Sequence, residues 1–302
     1  MTASLKQLHT DFLEDLEIGQ GRSQKTIANY DHYLQRFYHQ EAIKSISDIT
    51  LEAVRRFRRH LNESQTGGLS LATQNYHLIA VRQFLKYLAK RDFPALSPEK
   101  IGLAKLHERV IDVLYPEEVE ILLRAPNAAT LEGARDQAIV YILFSTGLRI
   151  AEATSLNRDD IRTNSKEIPV RGKGNKVRVV FLSPEAHDSV KDYVAKRMDT
   201  DPALFIRHKK GSVGPDDDLR LTPRSIQRLI KKYAAKAGLT KDITPHTLRH
   251  SFATDLLSNG ADVREVQQLL GHSSITTTQI YTHLTDVHLH QVHEKYHRKK
   301  SA

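Results

Sequence analysis

Nearly all of this sequence repeats apolar residues at helical spacing, and only residues 167–182 clearly alternate as a β-hairpin does. Apolar residues stand at every second position of its two arms, which are Ile168 and Val170, then Val177, Val179 and Phe181. Residues 172–175 (Gly-Lys-Gly-Asn) lie between the arms and tolerate the positive φ of a tight turn. The chain is therefore predicted to be mainly α with a small antiparallel β-sheet, and Lys173 is placed near the hairpin tip.

Residues 1–92 are predicted to form a helical module of four helices. Ser23 and Thr50 are suited to cap two of them, and the break at residues 66–68 (Thr-Gly-Gly) precedes the last. Basic and amide side chains are predicted to turn outward, where they would contact phosphates and base edges of nucleic acid. These candidates are Arg55, Arg59, Gln74, Asn75, His77 and Arg82. A merely solvated face is the alternative.

The helical periodicity fades over residues 93–112, where Pro94 and Pro98 bracket an irregular segment. We interpret this stretch as a linker. Helical patterns resume afterwards, so residues 113–302 are predicted to form a second domain that contains the hairpin and ends in a tail helix. A basic helix within it carries Arg224 and Arg228 on or near its outer side, and both are further candidates for nucleic-acid binding.

The composition restricts the partners of the chain. Its 302 residues carry a formal net charge of +9, which favours a polyanion such as nucleic acid, although many cytosolic proteins are basic for no specific reason. There is no cysteine, so disulfides and thiolate metal sites are excluded. We find no apolar run of membrane-spanning length and no signal-peptide pattern, and we expect a cytoplasmic protein with no membrane partner.

An arginine stands at a junction of two predicted helices at residues 146–152 (Thr-Gly-Leu-Arg-Ile-Ala-Glu). Gly147 is predicted to end the first helix, and the second begins almost at once. Arg149 is thus drawn among apolar neighbours, where a guanidinium needs an anion or a carboxylate. Glu152, one turn later, is suited to orient it. A purely structural arginine–glutamate pair is the alternative.

A second arginine is predicted near the start of a later helix. Thr244 can cap this helix, and Pro245 suits its first position. His246 and Arg249 then share one face within the first two turns, where the positive end of the helix dipole favours an anion. A satisfied surface pair is the alternative.

A histidine and a tyrosine follow a predicted helix stop at Gly271. Asp262 is suited to cap that helix, Gly271 to end it in the left-handed conformation, and His272 comes directly after. A further short helix is predicted to carry Tyr281, nine residues beyond the histidine. An ordinary helix-turn-helix with a surface histidine is the alternative.

Together these side chains suit phosphodiester chemistry without a metal ion or other cofactor. A metal-dependent nuclease needs paired carboxylates, whereas the one acidic run, residues 216–218, lies in a predicted surface loop. Without a metal, side-chain cations must hold the non-bridging oxygens as charge builds up in the transition state, and arginine does so with two parallel hydrogen bonds. Tyrosine, whose reference pKa is about 10, attacks only if its proton is removed or its phenolate is stabilised.

The ordered motifs resemble those of the tyrosine recombinases, the phage-integrase family. They are residues 146–149 (Thr-Gly-Leu-Arg), 172–176 (Gly-Lys-Gly-Asn-Lys), 246–250 (His-Thr-Leu-Arg-His) and 269–272 (Leu-Leu-Gly-His) with Tyr281 beyond. The resemblance covers essentially the whole chain and is greatest to the Xer-type branch. It implies a helical core-binding (SAM-like) DNA-binding domain followed by a mixed α/β catalytic domain.

The resemblance implies a role for each residue that would meet the scissile phosphate. Tyr281 would attack the phosphorus and form a 3′-phosphotyrosyl bond. Arg149 and Arg249 would clamp the phosphate oxygens. His272 would donate a hydrogen bond to the same phosphate.

The resemblance also implies how protons would move. Lys173 would protonate the leaving 5′ oxygen, with Lys176 as a rival for that role. His246 would assist proton transfer around the tyrosine. Glu152 matches an acidic position that supports the first arginine.

The family exchanges strands through a four-way (Holliday) junction, as a tetramer on two duplexes and without ATP. The expected partner is therefore double-stranded DNA with paired half-sites, bound by a homotetramer or by a heterotetramer with a paralogue. Two other functions stay open: a DNA-binding regulator of the same fold, and a nicking-closing enzyme like the type IB topoisomerases. A regulator would be expected to have lost catalytic residues, and none of the motif positions has been lost.

Overall fold

The computed structural model describes residues 4–63, 68–106, 112–162, 165–172, 177–208 and 218–271. The chain divides into two compact units, Met1–Arg109 and Val110–Ala302. Each unit has an apolar core of its own. The division falls inside the segment that the sequence predicts to be a linker.

The first unit is built from helices in its described residues. They are α1 (Leu5–Glu14), which continues into a π-helical turn (Asp15–Gly19), α2 (Gln24–Gln40), α3 (Leu51–Glu63) and α4 (Leu71–Ala89). The two predicted caps are confirmed, because the hydroxyls of Ser23 and Thr50 accept hydrogen bonds from the backbone N–H groups three residues later. The core is rich in aromatic rings that pack edge to face, such as Phe12 against Phe84.

The polar residues of α4 lie where the sequence did not predict them. Gln74, Asn75 and His77 are buried, so the prediction that they turn outward is wrong. The side chain of Asn75 donates to the carbonyl of Ala104 and accepts from its N–H, both at 2.9 Å. Gln74 donates to the carbonyl of Leu69, and the His77 ring lies 2.9 Å from a carbonyl one turn earlier in its own helix.

The physical reason is that the irregular segment after α4 folds back over this face of the helix. Phe93, Ala95 and Leu96 pack against the core of the first unit, and Ile101 is buried in it. The first part of the predicted linker is therefore a structural part of the first unit. The covering backbone needs polar partners, which Asn75 supplies for Ala104. Gln74 instead satisfies the carbonyl of Leu69 before α4, and the ring of His77 packs against that of Tyr33 on α2.

The second unit surrounds one almost fully buried helix. In chain order its described elements are α5 (Pro116–Arg124), α6 (Leu131–Thr146), α7 (Ile150–Ser155), β1 (Glu167–Arg171), β2 (Val177–Phe181), α8 (Pro184–Ala195), α9 (Pro223–Lys236), α10 (Pro245–Ser258) and α11 (Val263–Leu270). The apolar helix α6 lies at the centre and packs against α5, α8 and α10. Its carboxyl end, which carries the first predicted arginine motif, thereby lies next to α10, which carries the second.

The two strands pair antiparallel, so the prediction of a mainly helical chain with a small antiparallel sheet is confirmed. Ile168 pairs with Val180, and Val170 pairs with Arg178. The face that carries these pairs turns toward the core. The alternating apolar residues of the second arm, Val177, Val179 and Phe181, form the exposed face instead. Arg178 therefore points inward from the sheet.

A search for membrane spans over the described residues finds no helix that is both long enough and apolar enough to cross a bilayer.

Candidate active site

The first arginine is held where α6 ends and α7 begins. Gly147 closes α6 with a φ of 59°, and Arg149 is the residue that caps α7. The backbone N–H of Arg149 donates to Oε2 of Glu152 at 2.9 Å, and its Nη1 donates to Oε1 at 3.1 Å. The contact between this arginine and this glutamate is as the spacing predicts. The Arg149 side chain nevertheless keeps 34% of its surface exposed, so it can still reach a ligand.

The second arginine comes from the start of α10. Thr244 caps this helix and Pro245 occupies its first turn, both as predicted. Arg249 is only 2% exposed. Its Nη1 donates to the carbonyl of Gly147 at 2.5 Å, and its Nη2 donates to the carbonyl of Leu270 at 2.7 Å. Two chain segments far apart in sequence therefore orient this guanidinium.

Both arginines meet at the carboxyl end of α11. The carbonyl oxygen of Leu270, which accepts from Arg249, also lies 3.5 Å from Nη1 of Arg149. Nη2 of Arg149 donates to the carbonyl of Gly271 at 3.1 Å. Gly271 ends α11 in the left-handed conformation, as predicted, and the next residue is His272. The described residues thus bring three of the four sequence motifs to one place.

The histidine of the α10 motif shares this electrostatic environment. His246 remains exposed, but the protein packed beside its ring partly desolvates it, and the positive charges of Arg249 and Arg149 act in the same direction. These effects lower the pKa of His246 below its usual value. The imidazole is therefore neutral near pH 7 and able to accept a proton.

A second histidine, His250, stands one turn later, with its ring edge-on to that of His246 at 5.2 Å between centroids. Burial, followed by the charges of His246 and Arg249, lowers the pKa of His250 to about 4. This ring is neutral at neutral pH, so it does not add a positive charge beside His246.

The carboxylate in the cluster is also perturbed. Burial alone would raise the pKa of Glu152, but a side-chain hydrogen bond from Arg178, the N–H of Arg149 and the charges of both arginines bring it below its usual value. Glu152 is therefore ionised throughout the neutral range. An ionised, 6% exposed carboxylate needs the partners that surround it.

Sequence reasoning missed one member of this cluster. Arg178, from β2, donates from Nη1 and Nη2 to the two oxygens of Glu152, at 2.9 and 2.8 Å. Its Nε donates to the carbonyl of Leu269 at 3.0 Å. Strand alternation places Arg178 on the opposite face of the sheet from Val177 and Val179, but the sequence does not tell which of the two faces turns toward the core.

The other predicted site residues are distributed as follows. Lys173, His272 and Tyr281 lie outside the described residues. The side chains on exposed helical surfaces, and therefore accessible to a large ligand, are Arg55 and Arg59 on α3 and Arg224 and Arg228 on α9. Arg82 on α4 is half-buried, whereas Gln74, Asn75 and His77 are occupied inside the first unit. Within the described ranges no group of three or more His, Asp or Glu side chains could hold a metal ion.

Comparison with known proteins gives matches to both units. Residues 112–288 match the family model described as the phage integrase family, and residues 10–92 match that of the phage integrase N-terminal SAM-like domain. Tyrosine recombinase XerC of Listeria monocytogenes is 36% identical over 301 residues, covering 96% of this chain and 97% of that protein. Tyrosine recombinase XerD of Lacticaseibacillus casei is 34% identical over 294 residues, covering 96% of this chain and 98% of that protein.

A solved structure is similar over nearly the same length. It is the post-cleavage complex of the XerH site-specific recombinase bound to a palindromic difH substrate. The TM-score is 0.70 at 25% sequence identity, and the match covers 96% of this chain and 85% of that chain.

Proposed function

This chain belongs to the phage integrase family and is a tyrosine-type site-specific DNA recombinase, and from that premise we propose which of its residues perform the strand cleavage. The proposed catalytic residues are Arg149, Lys173, His246, Arg249, His272 and Tyr281. The observation that carries the proposal is the meeting of two arginines at the Leu270 carbonyl, directly before the turn that leads to the histidine. Two convergent guanidinium groups are what a phosphodiester requires when no metal neutralises it.

The proposed step forms one bond and breaks one. The phenol oxygen of Tyr281 attacks the phosphorus, and the bond from phosphorus to the 5′ oxygen breaks. His246, which is neutral at pH 7, assists removal of the phenol proton, and Lys173 protonates the leaving oxygen. Because the new phosphotyrosyl bond keeps the energy of the phosphodiester, a 5′ hydroxyl of another strand can reverse the step without ATP.

The arginines stabilise the charge that develops in this step. Arg149 and Arg249 hold the two non-bridging oxygens, with a hydrogen bond from His272 to the same phosphate. The carboxylate of Glu152 orients Arg149 by accepting hydrogen bonds from the backbone N–H and the guanidinium of that arginine. Loss of either arginine should slow cleavage by about 10²–10³-fold, by analogy with the loss of one oxyanion donor.

Duplex DNA is the partner, and the excess positive charge of the chain, +9, suits it. The XerH structure is described as bound to a palindromic difH substrate. For this chain we propose a duplex with paired half-sites, bound by a tetramer that is either homomeric or shared with a paralogue, in the cytoplasm. The proposed phosphate contacts outside the active site are Arg55, Arg59, Arg82, Arg224 and Arg228.

The decisive experiment traps the covalent intermediate. A duplex that forms adducts with the wild-type protein is first selected from a random-sequence pool, and a nick is then placed near its cleavage position. The nick lets the short fragment that carries the 5′ hydroxyl diffuse away, so the adduct accumulates. We expect a covalent protein–DNA band in EDTA with wild type and none with Tyr281→Phe.

Tyr296→Phe is the matched control, because it removes the same hydroxyl from the same C-terminal stretch of sequence. It should form the adduct as wild type does. An adduct that persists in Tyr281→Phe and disappears in Tyr296→Phe would reassign the nucleophile. Supercoil relaxation by wild type without any requirement for a paired site would instead favour a nicking-closing enzyme.

A further inference from the structure

An arginine on the inward face of the hairpin contacts the carboxylate that orients Arg149. We propose that Arg178 is a positioning residue for strand cleavage: by binding Glu152 it keeps the charge of Arg149 available to the phosphate. The proposal rests on the proposed function, because it assumes that Arg149 binds the scissile phosphate. The resemblance to the family gives Arg178 no role.

The two arginines share the carboxylate of Glu152 unequally. Nη1 and Nη2 of Arg178 donate to the two carboxylate oxygens of Glu152, at 2.9 and 2.8 Å, in a bidentate arrangement. Arg149 uses a single guanidinium nitrogen on one of those oxygens, at a longer 3.1 Å. Bidentate arginine–carboxylate pairs are the stronger and better oriented of the two arrangements. Glu152 is therefore bound mainly by Arg178.

The cluster of Arg149, Glu152 and Arg178 has a net positive charge. Two guanidinium groups share one carboxylate, so the three side chains together retain one positive charge. Without Arg178 the carboxylate of Glu152, which is 6% exposed, would have to be satisfied by Arg149. Arg149 would then form a neutral pair with Glu152. The carboxylate would then offset the charge of the Arg149 guanidinium and fix its orientation, and both effects weaken its binding of an anion.

The two arginines that contact Glu152 also differ in burial. The Arg178 side chain is 14% exposed, whereas that of Arg149 is 34% exposed. The arginine that binds the glutamate tightly is therefore the inner one, and the arginine that binds it loosely is the accessible one. This division is expected if one guanidinium neutralises the carboxylate and the other serves a ligand.

Arg178 also contacts the turn that precedes His272. Its Nε donates to the carbonyl of Leu269 at 3.0 Å. Its aliphatic part lies against Gly271, where a Cβ atom would stand 3.1 Å from its Cδ. The same turn supplies the carbonyl oxygens that orient both catalytic arginines. Arg178 therefore braces the turn and neutralises the carboxylate at once.

The test compares Arg178→Met, which keeps the aliphatic stem, with Arg178→Lys, which keeps a charge but not the bidentate arrangement. Arg171→Met is the matched control, since it removes an exposed arginine of the same hairpin. The measurement is the single-turnover rate of adduct formation at saturating duplex. Arg178→Met should slow cleavage by about 10–100-fold, by analogy with the loss of residues that orient a metal ligand, and Arg178→Lys should slow it less. Arg171→Met should cleave as wild type does.

A second variant separates this role from simple support of the fold. Adding Glu152→Gln to Arg178→Met removes the carboxylate that would capture Arg149. The double variant should therefore cleave faster than Arg178→Met alone. If Arg178 only supported the fold, the double variant would cleave at the same rate as Arg178→Met or more slowly, because a further contact has been lost.

A modified substrate keeps the test decisive if the double variant does not fold. Replacing one non-bridging oxygen of the scissile phosphate by a methyl group removes its charge, so the step depends less on the charge of Arg149. The defect of Arg178→Met should shrink on this methylphosphonate. Equal defects on both substrates, or a wild-type rate on the phosphate, would overturn the role of Arg178. Failure of wild type to form any adduct would instead overturn the proposed function.

Discussion

The glycine that ends α6 offers the sharpest test of how Arg149 and Arg249 are held in place. Gly147 has a φ of 59°, and a Cβ atom placed on it would lie 2.5 Å from Cδ1 of Phe252 and 2.9 Å from Cδ2 of Leu270. Its carbonyl oxygen accepts from Nη1 of Arg249. Gly147→Ala should therefore change both the stability of the second unit and the position of the Arg249 guanidinium.

The expected magnitude has two parts. A non-glycine residue in the left-handed region costs about 1–2 kcal/mol, and overpacking a filled core costs about 1–3 kcal/mol more. Gly147→Ala should therefore lower the free energy of unfolding by about 2–5 kcal/mol. Gly238 provides the matched control, because its φ is 73° and nothing lies within 4 Å of its would-be Cβ. Gly238→Ala should lose only the backbone part, about 1–2 kcal/mol.

The assay combines urea unfolding with single-turnover cleavage below the unfolding transition. Gly147→Ala should cleave slowly even where it is fully folded, because the added methyl displaces the backbone to which Arg249 is bonded. Gly238→Ala should cleave at the wild-type rate. Equal losses of stability at the two positions would refute the steric argument. Normal cleavage by folded Gly147→Ala would refute the link between this glycine and the arginine.

Three further predictions follow from single contacts. Because the pKa of His250 is lowered to about 4, the stability that its neutral form gives is present above pH 6.5 and is lost as the pH falls toward 4. Over that window, unfolding titrations of wild type should show a loss of up to about 3 kcal/mol relative to His250→Gln. Parallel stability curves for the two proteins would contradict this. Asn75→Leu leaves two buried backbone groups of Ala104 unpaired, so it should destabilise the first unit by about 1–3 kcal/mol per group. DNA binding by the folded variant should equal that of wild type, and weaker binding by the fully folded variant would contradict this. Arg59→Met should lower the slope of log affinity against log salt concentration by about 1. The control is Arg124→Met, which removes another exposed arginine and should leave the slope unchanged. Equal slopes for the two variants would show that Arg59 contacts no phosphate.

Features that depend on neighbouring residues were predictable from the sequence. The caps at Thr244 and Asp262 and the glycine stops at Gly147 and Gly271 lie where the sequence indicates. A cap is decided by hydrogen bonds that reach two or three residues along the chain, and a glycine stop by one positive φ. These local signals also placed the two arginines near helix ends, and the structure brings both to the carbonyl oxygen of Leu270.

Features that depend on distant partners were not predictable in this way. Asn75 pairs with Ala104, 29 residues later, and the helical pattern of α4 contains nothing that reveals this covering segment. Arg178 pairs with Glu152 across a separation of 26 residues. Val177, Val179 and Phe181 alternate in the second arm of the hairpin as core residues would. Pairing with the first arm nevertheless places them on the exposed face of the sheet. In each case tertiary contacts decided the orientation of a side chain whose local pattern allowed two answers.

The way the arginines are held explains why two of the motifs place a glycine at the end of a helix. The last carbonyl groups of a helix have no partner within that helix and stand at the negative end of its dipole. Gly147 and Gly271 end α6 and α11 abruptly, and the carbonyls at these ends, with that of Leu270, accept from Arg149 and Arg249. A carbonyl orients a guanidinium without cancelling its charge, whereas a carboxylate does both. Glu152, the carboxylate that contacts Arg149 within the described residues, therefore needs a second arginine, and Arg178 binds both of its oxygens.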